Sequence, residues 1–291
     1  MTSNVQAPTH QETILAKERD NAQIKYVTRS PKKPLVSKKI RSSGGIFLGR
    51  VAILVVAIAI WQFVAKYELL SPTVTSSPEA VFTWLWDAVT GTTMWANLGS
   101  TLYATILAWA LGNIIGVTIG IALALLPTVE KLVSPYLSAL NALPRIALAP
   151  LFIVAFGLTI ESKVALGFSI VVFLAITNAR AGVASVDIEH LNLANVLGAS
   201  KIQRFFKILL PVAVPSIFGG MRLGLIYAML GVLTAELMGS VSGIGVQLQE
   251  AAGMFRTDVI YGLLIVLALT ATLLNALTAA VERYVLRWQP Q

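Results

Sequence analysis

The chain has 291 residues, of which 56% are hydrophobic and 12% are charged, and its mean hydropathy is +0.76. This balance excludes an ordinary soluble globular domain and indicates an integral membrane protein. The chain has no cysteine, which excludes disulfide bonds and thiolate metal sites. The formal net charge of +8 is accounted for by the basic loops of a membrane protein, so no nucleic-acid partner is needed.

The first 45 residues are polar and basic and include Arg29-Ser-Pro-Lys-Lys-Pro34. This composition predicts a flexible cytoplasmic tail over 1–45, attracted to the membrane surface. The segment is too long and too polar for the n-region of a signal peptide, and no small-residue cleavage site follows the first apolar run. The first span is therefore expected to remain as a transmembrane helix.

Six charge-poor runs reach the length of about twenty residues that crosses a membrane as a helix. They lie at 46–65, 97–126, 136–157, 161–180, 212–235 and 258–281. The third contains Pro144, Arg145 and Pro150, and we predict that it is broken or preceded by an interfacial helix. The predicted fold is an all-α membrane protein with six transmembrane helices. Its predicted domains are the tail 1–45, the first span with an outer segment 46–96, and a transmembrane domain 97–287.

The segment between the first two spans, 71–87, begins with turn residues and continues with apolar residues at helical spacing. We predict a short amphipathic helix on the outer surface, with Trp84, Trp86 and Trp95 at the lipid headgroups. Contact with an extracytoplasmic partner is the alternative role for these side chains.

Three glycines spaced four residues apart, Gly112, Gly116 and Gly120, lie on one face of the second span. Small residues let helices approach closely in lipid, where no hydrophobic drive brings them together. We therefore predict that this span packs inside the bundle.

A polar, basic segment at 187–211 separates the fourth and fifth spans. Its apolar residues recur at helical intervals on both sides of Gly198, which predicts two short helices joined by a turn at Gly198, Ala199 and Ser200. Glycine tolerates the positive φ of such a turn, and Ser200 is suited to cap the second helix.

The second helix of this loop carries the basic residues Lys201 and Arg204, which predict an exposed basic face. Pro211 and Pro215 are expected to end the loop and return the chain to the membrane. His190 is interpreted as a solvated loop residue.

The segment from Asn192 to Pro211 resembles the cytoplasmic coupling loop of ABC importer membrane subunits. That family's pattern is Glu-Ala-Ala, three residues, Gly, nine residues, Ile, one residue, Leu-Pro. The residues that match it here are Ala194, Gly198, Ile208, Leu210 and Pro211. Asn192 stands where the family has Glu, so the amide keeps hydrogen-bonding groups but lacks the carboxylate's charge.

Shorter stretches resemble the permeases of the nitrate, sulfonate, taurine and bicarbonate branch, namely Pro144–Ile153, Gly220-Met-Arg222, Ala235-Glu236 and Gly243-Ile-Gly245. The resemblance implies a type I importer bundle that pairs with a second copy, as a homodimer or alternatively a heterodimer. It also implies a cytoplasmic ATPase dimer docked on the loop and an extracytoplasmic binding protein that delivers a small solute, anionic or weakly polar, whose identity the sequence does not select. ATP and Mg would be bound by the ATPase, with no cofactor bound by this chain.

The distribution of Lys and Arg sets the predicted orientation, because short loops rich in these residues stay in the cytoplasm. Of the 22 Lys and Arg residues, only Lys66, Lys163 and Arg256 fall on the outer side, and Arg222 lies within a span. Both termini are therefore expected in the cytoplasm, with the chain in the cytoplasmic or inner membrane.

Two charged residues lie within the fifth span. Arg222 is interpreted either as an anion-attracting or gating residue of the translocation path, or as an interface residue that snorkels or pairs. Glu236 is interpreted either as a gate or as an exposed or paired residue at the end of the span. Arg145, between two prolines, is equally open and is placed near the cytoplasmic face.

Two other classes of protein were weighed against a permease. An ion-coupled secondary transporter would show an ionisable residue at mid-membrane and often an internal repeat. No clear inverted repeat is evident here, and the second, fourth and sixth spans hold no charge at their centres. An intramembrane enzyme would need a catalytic constellation, whereas the two histidines, His10 and His190, lie in the tail and the loop. The chain lacks a phosphate-binding Gly-x-x-x-x-Gly-Lys-Ser/Thr motif, so it is expected to be a transport subunit without ATPase activity.

Overall fold

The computed structural model describes residues 43–69, 71 and 75–287. The chain divides into two units between residues 56 and 57. The predicted flexible tail lies outside the described residues, apart from the backbone of 43–45. No strand occurs in the described ranges, and the predicted all-α class is confirmed.

The helices follow one another with short connections. They are α1 (Ser43–Lys66), α2 (Pro78–Thr90), α3 (Thr93–Leu125), α4 (Pro127–Ala142), a 3₁₀ helix (Arg145–Leu148), α5 (Ala149–Phe156), α6 (Ile160–Ala184), α7 (Ile188–Val196), α8 (Lys201–Arg204), a π-helical turn (Phe205–Leu209), α9 (Leu210–Met238), α10 (Ile244–Gly253) and α11 (Thr257–Val285).

Five spans are long and apolar enough to cross a membrane within the described residues: α1, α3, α6, α11 and the stretch Lys201–Met238 that includes α9. The helix α4 and Arg145–Phe156, two pieces that bend by 82° at their junction, make a sixth if they count as one span. The bend follows Leu143 and Pro144, whose backbones are extended, and proline disfavours helix in the residue before it. An all-helical fold with five to six spans is confirmed, and the third predicted run is interrupted as expected.

The helix α2 is the predicted amphipathic helix. The Ser77 side chain caps it by accepting a hydrogen bond of 3.2 Å from the Ala80 N–H. Trp86 and Trp95 are exposed, as a headgroup position requires. The Trp84 ring is half-buried and packs against Gly262 of α11 so closely that any Cβ there would overlap it, and its place at the headgroups stays a prediction.

The helices α3, α6 and α9 form a three-helix core held together by small residues. A Cβ on Gly116 would lie 2.5 Å from the Val172 carbonyl oxygen of α6, and Gly112 and Gly120 face the same helix. On the other side of α6, a Cβ on Gly231 of α9 would lie 2.9 Å from the Gly167 Cα. The backbones therefore approach at distances that larger residues would prevent.

Different segments of the chain lie at the two ends of this three-helix core. At one end α6 leads into the segment 187–209, from which α9 begins, and we call this the loop end. At the opposite end, the far end, the first turns of α3 and α6 meet the last turn of α9 and the start of α10. The short helix α10 was not predicted from the sequence.

Candidate functional site

The loop at 187–211 contains the two short helices that its periodicity predicts. The helix α7 begins after Asp187, whose carboxylate accepts a hydrogen bond of 2.9 Å from the Glu189 N–H. It ends at Val196, and the turn that follows contains Gly198, where φ is +75°. No atom lies within 4 Å of the position that a Cβ on Gly198 would take, so glycine is required for the backbone turn and has no packing role.

The helix α8 starts with a reciprocal cap. The Ser200 hydroxyl accepts from the Gln203 N–H at 3.2 Å, and the Gln203 side chain accepts from the Ser200 N–H at 2.9 Å. Lys201 is exposed on this helix, whereas Arg204 folds back and donates to the Asn195 side-chain oxygen of α7. This contact holds α7 and α8 together across the turn.

The connection from α8 to α9 differs from the prediction. Phe205–Leu209 form a π-helical turn, and the Leu210 N–H donates to the Phe205 carbonyl. Pro211 lies in the first turn of α9 and Pro215 lies inside it, so neither residue separates the loop from the span. Proline is tolerated in a first turn because its missing N–H would have no partner there. The loop helix is thus joined to α9 without a flexible break.

The loop presents an unusual apolar surface. Ala194 is buried and Asn192 is exposed, and several large apolar side chains stand free. These exposed side chains are Ile188, Leu193, Val196, Leu197, Ile202 and Phe206. Beneath them lies a groove of about 440 Å³ lined in part by His190, Ile208 and Pro211. Exposed apolar patches on a compact element mark interaction surfaces.

A buried ion pair occupies the far end. Lys163 is 1% exposed and Glu236 is 0% exposed, and the Lys163 Nζ lies 3.1 Å from a Glu236 carboxylate oxygen. The same ammonium donates to the Ser242 carbonyl at 2.5 Å and to the Ser100 hydroxyl at 3.3 Å. All three ammonium donors are therefore used. Lys163, which the charge distribution placed on the outer side, is enclosed by protein.

The Glu236 carboxylate also caps α10. It accepts from the Gly245 N–H at 2.9 Å and from the Thr101 hydroxyl, which itself accepts from the Ile244 N–H at 2.9 Å. A negative charge at a helix N-terminus is stabilised by the unpaired N–H groups there. Gly243, with φ of +122°, leaves no room for a Cβ beside this carboxylate. We call the pair with these contacts the far-end cluster.

Arg222 occupies a different place from Glu236, and the structure does not bring the two together. Its guanidinium lies 3.5 Å from the Glu282 carboxylate of α11, with the two side chains 40% and 22% exposed. Arg145, in the broken span, donates to the Asn141 side chain and the Ile170 carbonyl and stacks on the Phe173 ring.

The family of the chain is decided by its sequence. The family described as the binding-protein-dependent transport system inner membrane component matches residues 112–289, more than half of the chain. The chain belongs to this family. It is an ABC importer permease subunit, a multi-pass helical membrane protein that functions in transport.

The permease is similar to several named relatives. SsuC of Bacillus subtilis, named for aliphatic sulfonates transport, is 32% identical over 234 residues, which cover 80% of this permease and 85% of SsuC. The taurine transport system permease protein TauC of Escherichia coli is 30% identical over 82% of this permease and 88% of its own chain. The riboflavin transport system permease protein RibX of Chloroflexus aurantiacus is 30% identical over 83% and 90%.

A solved structure supports the fold. The permease aligns with a chain from an inward-facing structure of the MetNI methionine ABC transporter with a TM-score of 0.57 and 19% identity. The alignment covers 69% of the permease and 96% of the solved chain. At this identity the likeness shows the fold alone.

Sequence reasoning found the loop but missed the far-end cluster. Lys163 and Glu236 are far apart in sequence and each resembles an ordinary charge at the end of a span. The sequence signal for this cluster was the pair Gly243 and Gly245, because closely spaced glycines indicate close approach of a backbone to another group.

Proposed function

We propose that the permease pairs with a second copy to form the translocation unit of an ATP-driven importer, and that its loop docks on a cytoplasmic ATPase subunit. The observation that carries this proposal is the compact pair of α7 and α8, which exposes apolar side chains such as Leu197 and Ile202 and continues into α9. A movement imposed on such a loop is transmitted to the span directly.

In this proposal the energy comes from the partner. The ATPase dimer binds ATP and Mg and closes, which draws the two loops together and reorients the spans in an alternating-access cycle. The permease supplies no phosphate-binding loop and serves as the transport subunit. A binding protein outside the membrane delivers the solute, and both termini of the permease lie in the cytoplasm.

The proposed solute is a small anion of the sulfonate or taurine type. Two of the similar relatives, SsuC and TauC, are named for these solutes. The relative RibX, with the same identity to the permease as TauC, is named for riboflavin instead. Arg222, inside a span, is the residue proposed to attract the anion. The family assignment favours an ABC permease over the alternative of an ion-coupled secondary transporter.

A matched pair of variants tests the docking role of the loop. Leu197 in the loop and Val241 at the far end are 77% and 78% exposed, so Asp at either position leaves the packing intact. We expect Leu197→Asp to reduce the ATPase recovered with the tagged permease by about tenfold or more, because a carboxylate replaces an apolar contact. Val241→Asp should leave the recovery unchanged.

The measurement is quantitative mass spectrometry of complexes purified in mild detergent, with size-exclusion chromatography to verify folding. Equal ATPase recovery with Leu197→Asp and the native permease would refute docking through this surface. Uptake of taurine into proteoliposomes that contain permease, ATPase and binding protein, in competition with ethanesulfonate and riboflavin, tests the solute class.

A further inference from the structure

The charged residues in and beside the spans differ in how fully their donors are used. Lys163 places all three donors on oxygen atoms, and Arg145 has two hydrogen-bond acceptors and an aromatic ring. Arg180 contacts Glu130 with two of its nitrogens. Each of these cations therefore has hydrogen-bond or ion-pair partners within the permease.

Arg222 is the exception among these cations. Within the described residues, its guanidinium has one partner, the Glu282 carboxylate, at 3.5 Å. That distance exceeds the 2.7–2.9 Å usual for a charge-assisted hydrogen bond. The Arg222 Nε is buried and has no hydrogen-bond partner. Because the Arg222 side chain is 40% exposed while Nε is buried, the donors open to a ligand are those of the terminal nitrogens.

The chemistry of these donors matches an oxyanion. A guanidinium presents parallel N–H groups that bind two oxygens of a carboxylate or a sulfonate together. The Glu282 carboxylate touches it at a single nitrogen and is itself partly exposed. A free anion has no helix to constrain it, so it is able to engage both terminal nitrogens of the exposed end of the guanidinium at once.

We propose that Arg222 binds the anionic group of the solute, and that the Glu282 carboxylate occupies Arg222 when the solute is absent. An incoming sulfonate displaces Glu282 from the guanidinium, which also breaks this ion pair between α9 and α11. This inference rests on the proposed import of an anion and adds a competing residue that was not among the predicted site residues.

The test exploits the opposite effects expected of the two partners. The purified complex of permease and ATPase is titrated with ethanesulfonate, and the apparent Kd is taken from the rise in the thermal unfolding midpoint. We expect Glu282→Gln to lower this Kd by about fivefold, because a competing half-exposed ion pair is removed. Arg222→Gln should abolish the response, and Arg222→Lys should weaken it because an ammonium lacks the fork.

Two further variants separate anion binding from a structural ion pair. The exchange R222E/E282R preserves a pair of opposite charges but should not respond to ethanesulfonate. Arg283→Gln removes a cation next to Glu282 whose Nε donates to the Ala279 carbonyl, and it should leave the Kd unchanged. The neutral analogue ethyl methyl sulfone should give no shift with any variant.

Several outcomes would overturn the inference. The first is that ethanesulfonate stabilises neither the native complex nor the Glu282→Gln complex. The second is that Glu282→Gln weakens the response to ethanesulfonate, as Arg222→Gln does. The third is that the exchange R222E/E282R responds like the native complex. The ATPase recovery described for Leu197→Asp is independent of these results, so the docking proposal stands or falls separately.

Discussion

At the scale of single residues, the far-end cluster has the strictest requirements. Moving a Lys and a Glu out of water is costly, and their mutual attraction offsets that cost only if the remaining donors and acceptors are also paired. Ser100, Thr101 and Ser242 provide those partners. Glu236 is therefore a paired, fully buried residue in this structure, and a gating role for it stays a prediction.

Removing one member of this pair should be worse than removing both. We expect Lys163→Met or Glu236→Met alone to destabilise the permease by about 3–5 kcal/mol, because the other charge loses its partner in a buried site. The double variant should be less destabilised than either single variant. Arg256→Met, which breaks the exposed pair with Asp258, serves as the control and should cost no more than about 1 kcal/mol.

Thermal unfolding of the purified protein in detergent measures these differences. Additive losses in the double variant would show that Lys163 and Glu236 contribute independently, contrary to the geometry.

At the scale of helices, the sequence predicted what depends on local spacing. The six spans follow from runs of apolar residues, and the turn at Gly198 with its cap at Ser200 follows from residue types that favour those positions. The π-helical turn at 205–209 was not predictable, because Phe-Phe-Lys-Ile-Leu is equally compatible with an α-helix. The pairing of Lys163 with Glu236 was not predictable either, because it depends on how distant helices pack.

The glycine face of α3 provides a prediction about packing. Gly116→Ala places a methyl group 2.5 Å from the Val172 carbonyl oxygen, so α3 and α6 must separate. We expect a loss of about 1–3 kcal/mol in the free energy of unfolding. Gly99→Ala lies on the same helix, has no atom within 4 Å of the new methyl group, and should be neutral or slightly stabilising.

Unfolding midpoints of both variants in the same detergent decide this prediction. Equal stability of Gly116→Ala and Gly99→Ala would mean that the helices are not in close contact at this point.

At the scale of the whole molecule, the orientation in the membrane remains a prediction from the distribution of Lys and Arg. The absence of cysteine makes it directly testable with single introduced thiols. Val196 in the loop and Val241 at the far end are 84% and 78% exposed and suit this purpose. A membrane-impermeant maleimide should label Val196→Cys only in inverted vesicles and Val241→Cys only from outside intact cells.

Labelling of both thiols from the same side would contradict the predicted topology. Labelling of Val196→Cys from outside the cell would reverse it and would remove the loop from the compartment in which an ATPase works.

The far-end cluster also has a consequence for biosynthesis. Lys163 enters the membrane in the first turn of α6, whereas Glu236 emerges much later in the last turn of α9, and α10 follows it. During synthesis each charge must wait near the membrane surface without its partner, a position that water and lipid headgroups tolerate. The order of translation thus makes closure of the far end a late event, and a chain stopped before α9 carries an uncompensated lysine.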